Sequence, residues 1–377
     1  MKKLKSLLFS AIALSLLASC GGNGNEANKD YQIFISEVTN ASSPFETAVE
    51  ITSLRENNEG FTLNVYRNKE VTLSIKLDDK FKDSTYVIAN KSANDEMKKA
   101  SDEILDDDYF FCFNRIEIVY EDKVVDSIGD KTFEANYIED GSLIRNELNQ
   151  KSMESFDPLA WYKVRSGIYT YLGNSDTPLT YDEFKEGPKL TPKYTNEEVK
   201  FSDGVTSLGG ITEVKVSSAG DGDTTNFIYD ATSGISGIKR TRYYLIDTPE
   251  IDHGPSSSIQ AEPFGEAAKR FTNTRLKNAK HILLQSALGG QLHETYGRML
   301  AFVWYTEKEN PEYSDYKLLN YEIVLNGLAH FSTHDKLVQM YDEDILYFSY
   351  LEHASELAKK EKLNIRGDEK DPEFNYK

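Results

Sequence analysis

The apolar residues of this chain change their period near residue 205, and that change divides the fold. Upstream, short β-rich runs at 31–38, 61–66, 71–77, 86–89, 116–120 and 124–128 are separated by turn signals. Strands this short and closely spaced predict an antiparallel sandwich over 31–173. Downstream, alternation at Val214 and Val216 and around 227–229 leads to an apolar strand at 243–246 and a helical stretch at 263–280. Strands at 282–285 and 299–305 follow, with further helical patterns at 317–328 and 345–362. In the last of these, Ile345, Phe348, Leu351, Ala354 and Ala358 share a face, and Asp342, Glu343 and Asp344 suit the helix N-terminus. An α+β domain is predicted over 205–367, with a short tail at 368–377. Between the halves, residues 174–204 carry Pro178, Pro188 and Pro192 in a poorly periodic stretch that reads as a linker. A chain of 377 residues has room for both cores.

Ahead of the first strand, Lys2, Lys3 and Lys5 precede an apolar run from Leu7 to Leu17, too short to span a membrane. Small residues close it, so residues 1–19 read as an export signal. Leu17-Ala18-Ser19-Cys20 resembles the bacterial lipobox. That resemblance implies cleavage before Cys20, lipid on its sulfur and anchoring to the outer face of a bacterial membrane, where two acyl chains hold stably. Residues 20–30 then form a flexible tether. The other cysteine, Cys112, lies among Phe110, Phe111 and Phe113 and reads as a small buried hydrophobe, so the mature chain has no intrachain disulfide.

Charge limits the partners. There are 43 Lys and Arg against 62 Asp and Glu, a net charge of −19. Such a chain repels polyanions at long range, which excludes tight nucleic-acid binding through a broadly basic surface. It does not exclude positive charge concentrated in a few arginines or a bound cation.

In the first half, Ile33-Phe34-Ile35-Ser36-Glu37-Val38, Ala48-Val49-Glu50-Ile51, Thr85-Tyr86-Val87-Ile88-Ala89-Asn90 and Val124-Val125-Asp126-Ser127-Ile128-Gly129 resemble successive blocks of the lamin-tail domain. Ser142-Leu143-Ile144-Arg145-Asn146, Phe156-Asp157-Pro158-Leu159-Ala160-Trp161 and Tyr171-Leu172-Gly173 continue its bacterial version. The resemblance implies an all-β immunoglobulin-like sandwich, a module for binding or spacing whose partner is unknown. No catalytic constellation stands out there.

The second half holds four short motifs. Asp221-Gly222-Asp223-Thr224 ends a strand and alone reads as a hairpin turn. Arg242 adjoins the apolar strand 243–246, five residues before Asp247-Thr248-Pro249-Glu250, and an arginine there needs a carboxylate or phosphate partner. In Tyr296-Gly297-Arg298-Met299-Leu300-Ala301, Gly297 is expected to permit close backbone approach. Asn320 through Gly327-Leu328-Ala329 reads as a helix end capped at glycine.

In this order the motifs, with Pro263-Phe264-Gly265-Glu266-Ala267 and Ala358-Lys359-Lys360-Glu361-Lys362-Leu363-Asn364-Ile365, resemble the staphylococcal-nuclease (thermonuclease) family. The resemblance implies an OB-fold barrel with three helices that hydrolyses DNA and RNA with Ca2+. Position by position, it makes Asp223 and Asp247 calcium carboxylates and the Thr248 carbonyl a further ligand. Arg242 and Arg298 become phosphate-clamping arginines, and Glu250 the general base or water-positioning carboxylate. Such chemistry needs charge neutralisation, a positioned water and a proton acceptor. Two departures concern affinity: Thr333 and Asp335 stand where tyrosines stack on the nucleotide, and residues 251–262 carry no lysine or arginine. His330 and His334 lie beyond the helix-ending Gly327 and need not share a face, so a histidine metal site is not expected, although His253 and His293 lie near motifs. No nucleophile elbow is present for a serine hydrolase. The expected protein is a monomeric, surface-anchored nuclease. The alternative is a non-catalytic nucleic-acid-binding or adhesion lipoprotein.

Overall fold

The computed structural model describes residues 30–40, 46–106, 114–129, 141–174, 176–190, 200–230, 233–255, 257–332, 340–342 and 344–376. The export signal, Cys20, Cys112 with its flanking phenylalanines, Thr333, His334 and Asp335 lie outside the described residues. Among those residues, no helix is long and apolar enough to cross a membrane.

The strands of the first half are β1 (Ile33–Asn40), β2 (Thr47–Ser53), β3 (Phe61–Arg67), β4 (Glu70–Lys76), β5 (Thr85–Asn90), β6 (Glu103–Leu105), β7 (Arg115–Tyr120), β8 (Lys123–Gly129), β9 (Gly141–Arg145) and β10 (Trp161–Arg165), with helix α1 (Asp95–Ala100) between β5 and β6. They form two facing sheets. One contains β10-β9-β1-β2-β5-β6 and the other runs β4-β3-β7-β8. Alternate residues of each face a shared core, with Ile33, Ile35, Val49, Ile51 and Ile88 from the first sheet meeting Phe61, Leu63, Val65, Ile116 and Ile118 from the second. A buried ion pair crosses this core: Arg145 reaches Asp126 at 2.8 Å, and Asp126 also accepts from the Ile35 and Met153 amides.

The second half begins with α2 (Tyr181–Phe184) and continues with β11 (Ile211–Ala219), β12 (Thr224–Tyr229), β13 (Gly237–Tyr243), β14 (Ile246–Asp247), α3 (Gly265–Asn278), β15 (His281–Gln285), β16 (Met299–Thr306), β17 (Lys317–Leu318), α4 (Leu319–Leu325), β18 (His330–Phe331), β19 (Tyr341–Asp342), β20 (Ile345–Leu346) and α5 (Tyr347–Lys360). Strands β13-β12-β11-β15-β16 lie side by side, and β13 pairs in parallel with β16 to close the ring. This is the strand order and closure of an OB-like five-stranded barrel. Helices α3, α4 and α5 pack in series outside it. Gly327, at φ 62°, ends α4 with the expected glycine cap, its amide returning to the Val324 carbonyl at 2.9 Å.

Four expectations are corrected. The helical patterns at 317–328 and 345–362 begin with strand pairs: Leu318 pairs with Trp304, and Ile345 with Val164. Unpaired strand edges captured these residues before the helices start, a tertiary demand that the apolar period does not register. The described parts of the expected linker, 174–204, are packed structure. Thr180 and Glu183 cap α2 reciprocally, Phe184 is buried against Tyr162 and Tyr350, and Phe201 enters the barrel core. The expected tail returns to the start of α3, where the Asp371 carboxylate accepts from the Phe264 amide at 2.6 Å.

The pairing of β20 with β10 also joins the halves. Strands β19 and β20 extend the first sandwich sheet to eight strands. Arg165 donates its amide to the Asp344 carbonyl at 2.9 Å, and Lys163 pairs with Glu352 at 3.0 Å.

Candidate active site at one end of the barrel

The β11–β12 hairpin carries Asp221-Gly222-Asp223 at its tip, and helix α3 clamps that tip. Thr272 donates to the Gly222 carbonyl at 2.6 Å. A Cβ on Gly222 would lie 2.7 Å from the Ala268 Cβ and 2.8 Å from the Thr248 methyl, so only glycine fits between helix and loop. The turn is therefore built to a tolerance beyond that of a solvent-facing hairpin, and both aspartates are buried.

Arg242 lies beside Thr224 on β12 and Leu300 on β16, where three barrel strands meet. After β13 the chain reverses through Leu245, held at φ 61°, a conformation that costs a branched residue free energy and is retained by the surrounding hydrogen bonds. Among them, the Leu245 carbonyl accepts from the Ser332 amide at 2.8 Å. The reversal brings Asp247 back onto Arg242, whose guanidinium is bonded to both Asp223 and Asp247 and to the Ile246 carbonyl at 3.1 Å. The partner expected for a strand arginine is thus a pair of carboxylates. Asp223 also accepts from the Thr248 amide at 2.7 Å and the Thr224 hydroxyl at 3.1 Å. Burial pushes its carboxyl up to about 6, against the pull of Arg242 and with the push of Asp221.

Arg298 sits one residue before β16. Gly297 is required there for its φ of 78°, with open space around it, and not for the close approach expected. The Arg298 guanidinium is held in a fork by Glu294, with Nη2 to Oε2 at 3.0 Å, and reaches toward the Thr224 hydroxyl at 3.5 Å. It lies within the electrostatic field of Asp223 and Asp221. Arg298 in turn holds the Glu294 carboxyl below the usual range.

Glu250 is fixed through its backbone. Its carbonyl accepts from the Glu262 amide at 2.9 Å, and a Cβ at position 265 would approach that carbonyl to 2.3 Å, so Gly265 is needed where the loop meets α3. His253 Nε2 lies 3.1 Å from the Glu250 carboxylate and donates to it when that nitrogen carries the proton. Asp221, Glu250 and His253 each place a ligand-type atom within 4.8 Å of the other two.

Arg242, Asp223, Asp247 and Thr248 therefore meet directly, Arg298 joins them through Thr224, and Glu250 joins through Asp221. Sequence reasoning gave no role to Asp221, Thr224, Glu294 or His253. Glu294 was detectable as an acid four residues before Arg298, and Asp221 as an acid two residues before Asp223 in an alternating segment.

The closed barrel gathers two arginines and several carboxylates at one end. Residues 240–366 match the family model described as Staphylococcal nuclease homologue, so the C-terminal part of the chain carries a domain similar to that family. Asp221 and Asp223 precede the matched stretch and reach the site through the β11–β12 hairpin. Comparison with curated proteins gave no match.

Proposed function

We propose that this protein is a Ca2+-dependent nuclease that hydrolyses the phosphodiester bonds of DNA and RNA. The observation that carries the reading is the meeting of Arg242 and Arg298 with convergent carboxylates at the barrel end, in a stretch similar to a nuclease family.

The donor set suits calcium. Asp223 and Asp247 offer hard carboxylate oxygens, as does the Thr248 carbonyl, and the two carboxylates already converge on one positive group, Arg242. Bound there, calcium would neutralise charge on the phosphate. The chain's own residues do the rest. With Asp223 and Asp247 turned to calcium, Arg242 would be released to donate to the phosphoryl oxygens, where charge grows in the transition state, and Arg298, held on Glu294 through Nε and Nη2, would offer Nη1. Carboxylates orient both arginines before substrate arrives, so less order is lost on binding. Glu250, partly open to solvent, positions water and accepts its proton.

Export, anchoring through Cys20 and exposure at the cell surface belong to the same proposal and are supported by the N-terminal sequence. So is a lamin-tail-like, immunoglobulin-type assignment of the sandwich as a binding or spacing module. The test is to incubate mature protein with plasmid DNA and with RNA, in calcium and in chelator. Calcium-dependent cleavage of both is expected. Binding without cleavage at any calcium concentration overturns the enzyme reading and favours a binding lipoprotein.

A further inference from the structure

We propose that Asp371, in the C-terminal tail, is a positioning residue for hydrolysis: by holding the entry to α3 it fixes where Glu250 stands relative to Asp223. The catalytic part rests on the nuclease reading, whereas the control of the Glu250 loop does not.

The contact is built into the fold. Phe264 opens α3 at φ 67°, and its side chain makes no capping hydrogen bond. A residue other than glycine keeps that conformation only when its surroundings over-determine it. Two groups do so here. The Phe264 ring is buried in the barrel core, and its amide donates to Asp371 Oδ2 at 2.6 Å, across 107 residues of chain. A distant carboxylate thus takes the place of a local N-cap, where the positive end of the helix favours it. Asp371 is itself pinned at 7% exposure. Its Oδ1 accepts from the Glu373 amide at 2.9 Å, and its own amide donates to the Tyr376 hydroxyl at 2.8 Å.

From Phe264 two contacts lead into the site. Gly265 lies against the Glu250 carbonyl, too close for a Cβ. Glu262 bonds Glu250 in both directions, its amide donating to the Glu250 carbonyl at 2.9 Å and its carboxylate accepting from the Glu250 amide at 3.1 Å. One turn along α3, Ala268 donates its amide to the Phe264 carbonyl at 2.9 Å and packs on Gly222 in the hairpin tip, beside Asp223. The start of α3 is therefore the shared support of the proposed base and of a proposed calcium ligand. Without Asp371, Phe264 is free to leave the left-handed region, and the two loops lose their common reference. The side chains that act on substrate are unchanged, so the loss falls on geometry at the reacting atoms and is read in kcat rather than KM.

Full-length mature protein is compared with Asp371→Ala and with Asp371→Asn, which keeps one acceptor oxygen for the Phe264 amide. Circular dichroism sets a temperature at which all are folded. Hydrogen–deuterium exchange is expected to rise at least about tenfold over residues 249–252 and 262–266 in Asp371→Ala, with β15 and β16 protected as in wild type and Asp371→Asn largely restored. Unchanged exchange there, or a uniform rise over the barrel, overturns the proposal whether or not the protein cleaves. In the cleavage assay, kcat of Asp371→Ala is expected to fall about tenfold to a hundredfold with KM within about twofold of wild type, and to recover in Asp371→Asn. Local loosening with kcat unchanged overturns the positioning role. Local loosening in a protein whose wild type cleaves nothing upholds control of the loop and overturns only the nuclease reading. Should Asp371→Ala not fold, Tyr376→Phe, which removes only the hydroxyl that anchors Asp371, is read in both assays. A smaller change at the same residues is expected, and none overturns the proposal.

Discussion

Arg242 is held on its barrel strand by two carboxylates, and it supplies the positive charge on which Asp223 and Asp247 converge. Site residues of this kind trade stability for chemistry, which makes their substitution informative. Arg298→Ala and Glu250→Ala should each lower kcat by orders of magnitude with the melting temperature retained. Wild-type rates in either variant would refute the assigned role. Glu294→Ala should cost less, about tenfold in kcat, because it loosens Arg298 without removing it, and a rate equal to wild type would show that the fork is dispensable. Away from the site, Asp126→Asn leaves Arg145 buried with a weaker partner. A loss of about 3–5 kcal/mol in denaturant unfolding is expected. The six candidate residues of the barrel half sit in short local motifs that the sequence shows, and the fold brings those motifs to one end of the barrel. Glu294 and His253 were passed over because their importance lies in what they touch, and neither has a periodic signature.

At the scale of elements, the hairpin tip and helix α3 act as one piece. Gly222→Ala should displace Asp221 and Asp223 together, costing about 1–3 kcal/mol and most of the activity, and an active, equally stable variant would contradict the tight packing seen. Helix α5 supplies a pH dependence. His353 is buried against Tyr181 and Phe184, with Nε2 bonded to the Tyr181 hydroxyl at 3.0 Å, and burial, with help from Lys360, holds it down at about 4 from an ordinary 6.5. The unfolded chain therefore binds a proton that the native state refuses across that window. Stability should fall by roughly 2–3 kcal/mol as pH drops from about 7 to 4, and His353→Gln should flatten this part of the profile in pH-dependent unfolding. The sequence showed the helix and its apolar face. It concealed the two-residue strand ahead of it, because Ile345 fits a helical period and a sheet edge equally well.

The molecule as a whole is tied together more closely than two domains on a linker. Strand β20 completes the sheet of the first half, and Phe184 stacks on Tyr350 with ring centroids 4.5 Å apart. A fragment of residues 174–377 lacks β10 and leaves the edge of β20 away from β19 unpaired. It should melt at lower temperature than the full chain and self-associate in sedimentation, and a monomer of undiminished stability would show that the shared sheet is incidental. Acidity is likewise a property of both halves: residues 201–377 carry 19 Lys and Arg against 27 Asp and Glu. Grip on a polyanion must come from Arg242, Arg298 and a bound cation, so affinity should fall only shallowly with salt.

Period and turn residues are local, and from them most of the longer strands and the three helices of the barrel half follow directly, while the candidate site residues came from a resemblance of short motifs. Which carboxylate meets which arginine, the Asp371 carboxylate at the start of α3 and the sheet shared between the halves depend on contacts between distant segments. The free energy of those contacts comes from burial and pairing that no short stretch of sequence contains, so they emerged only when the chain was closed on itself.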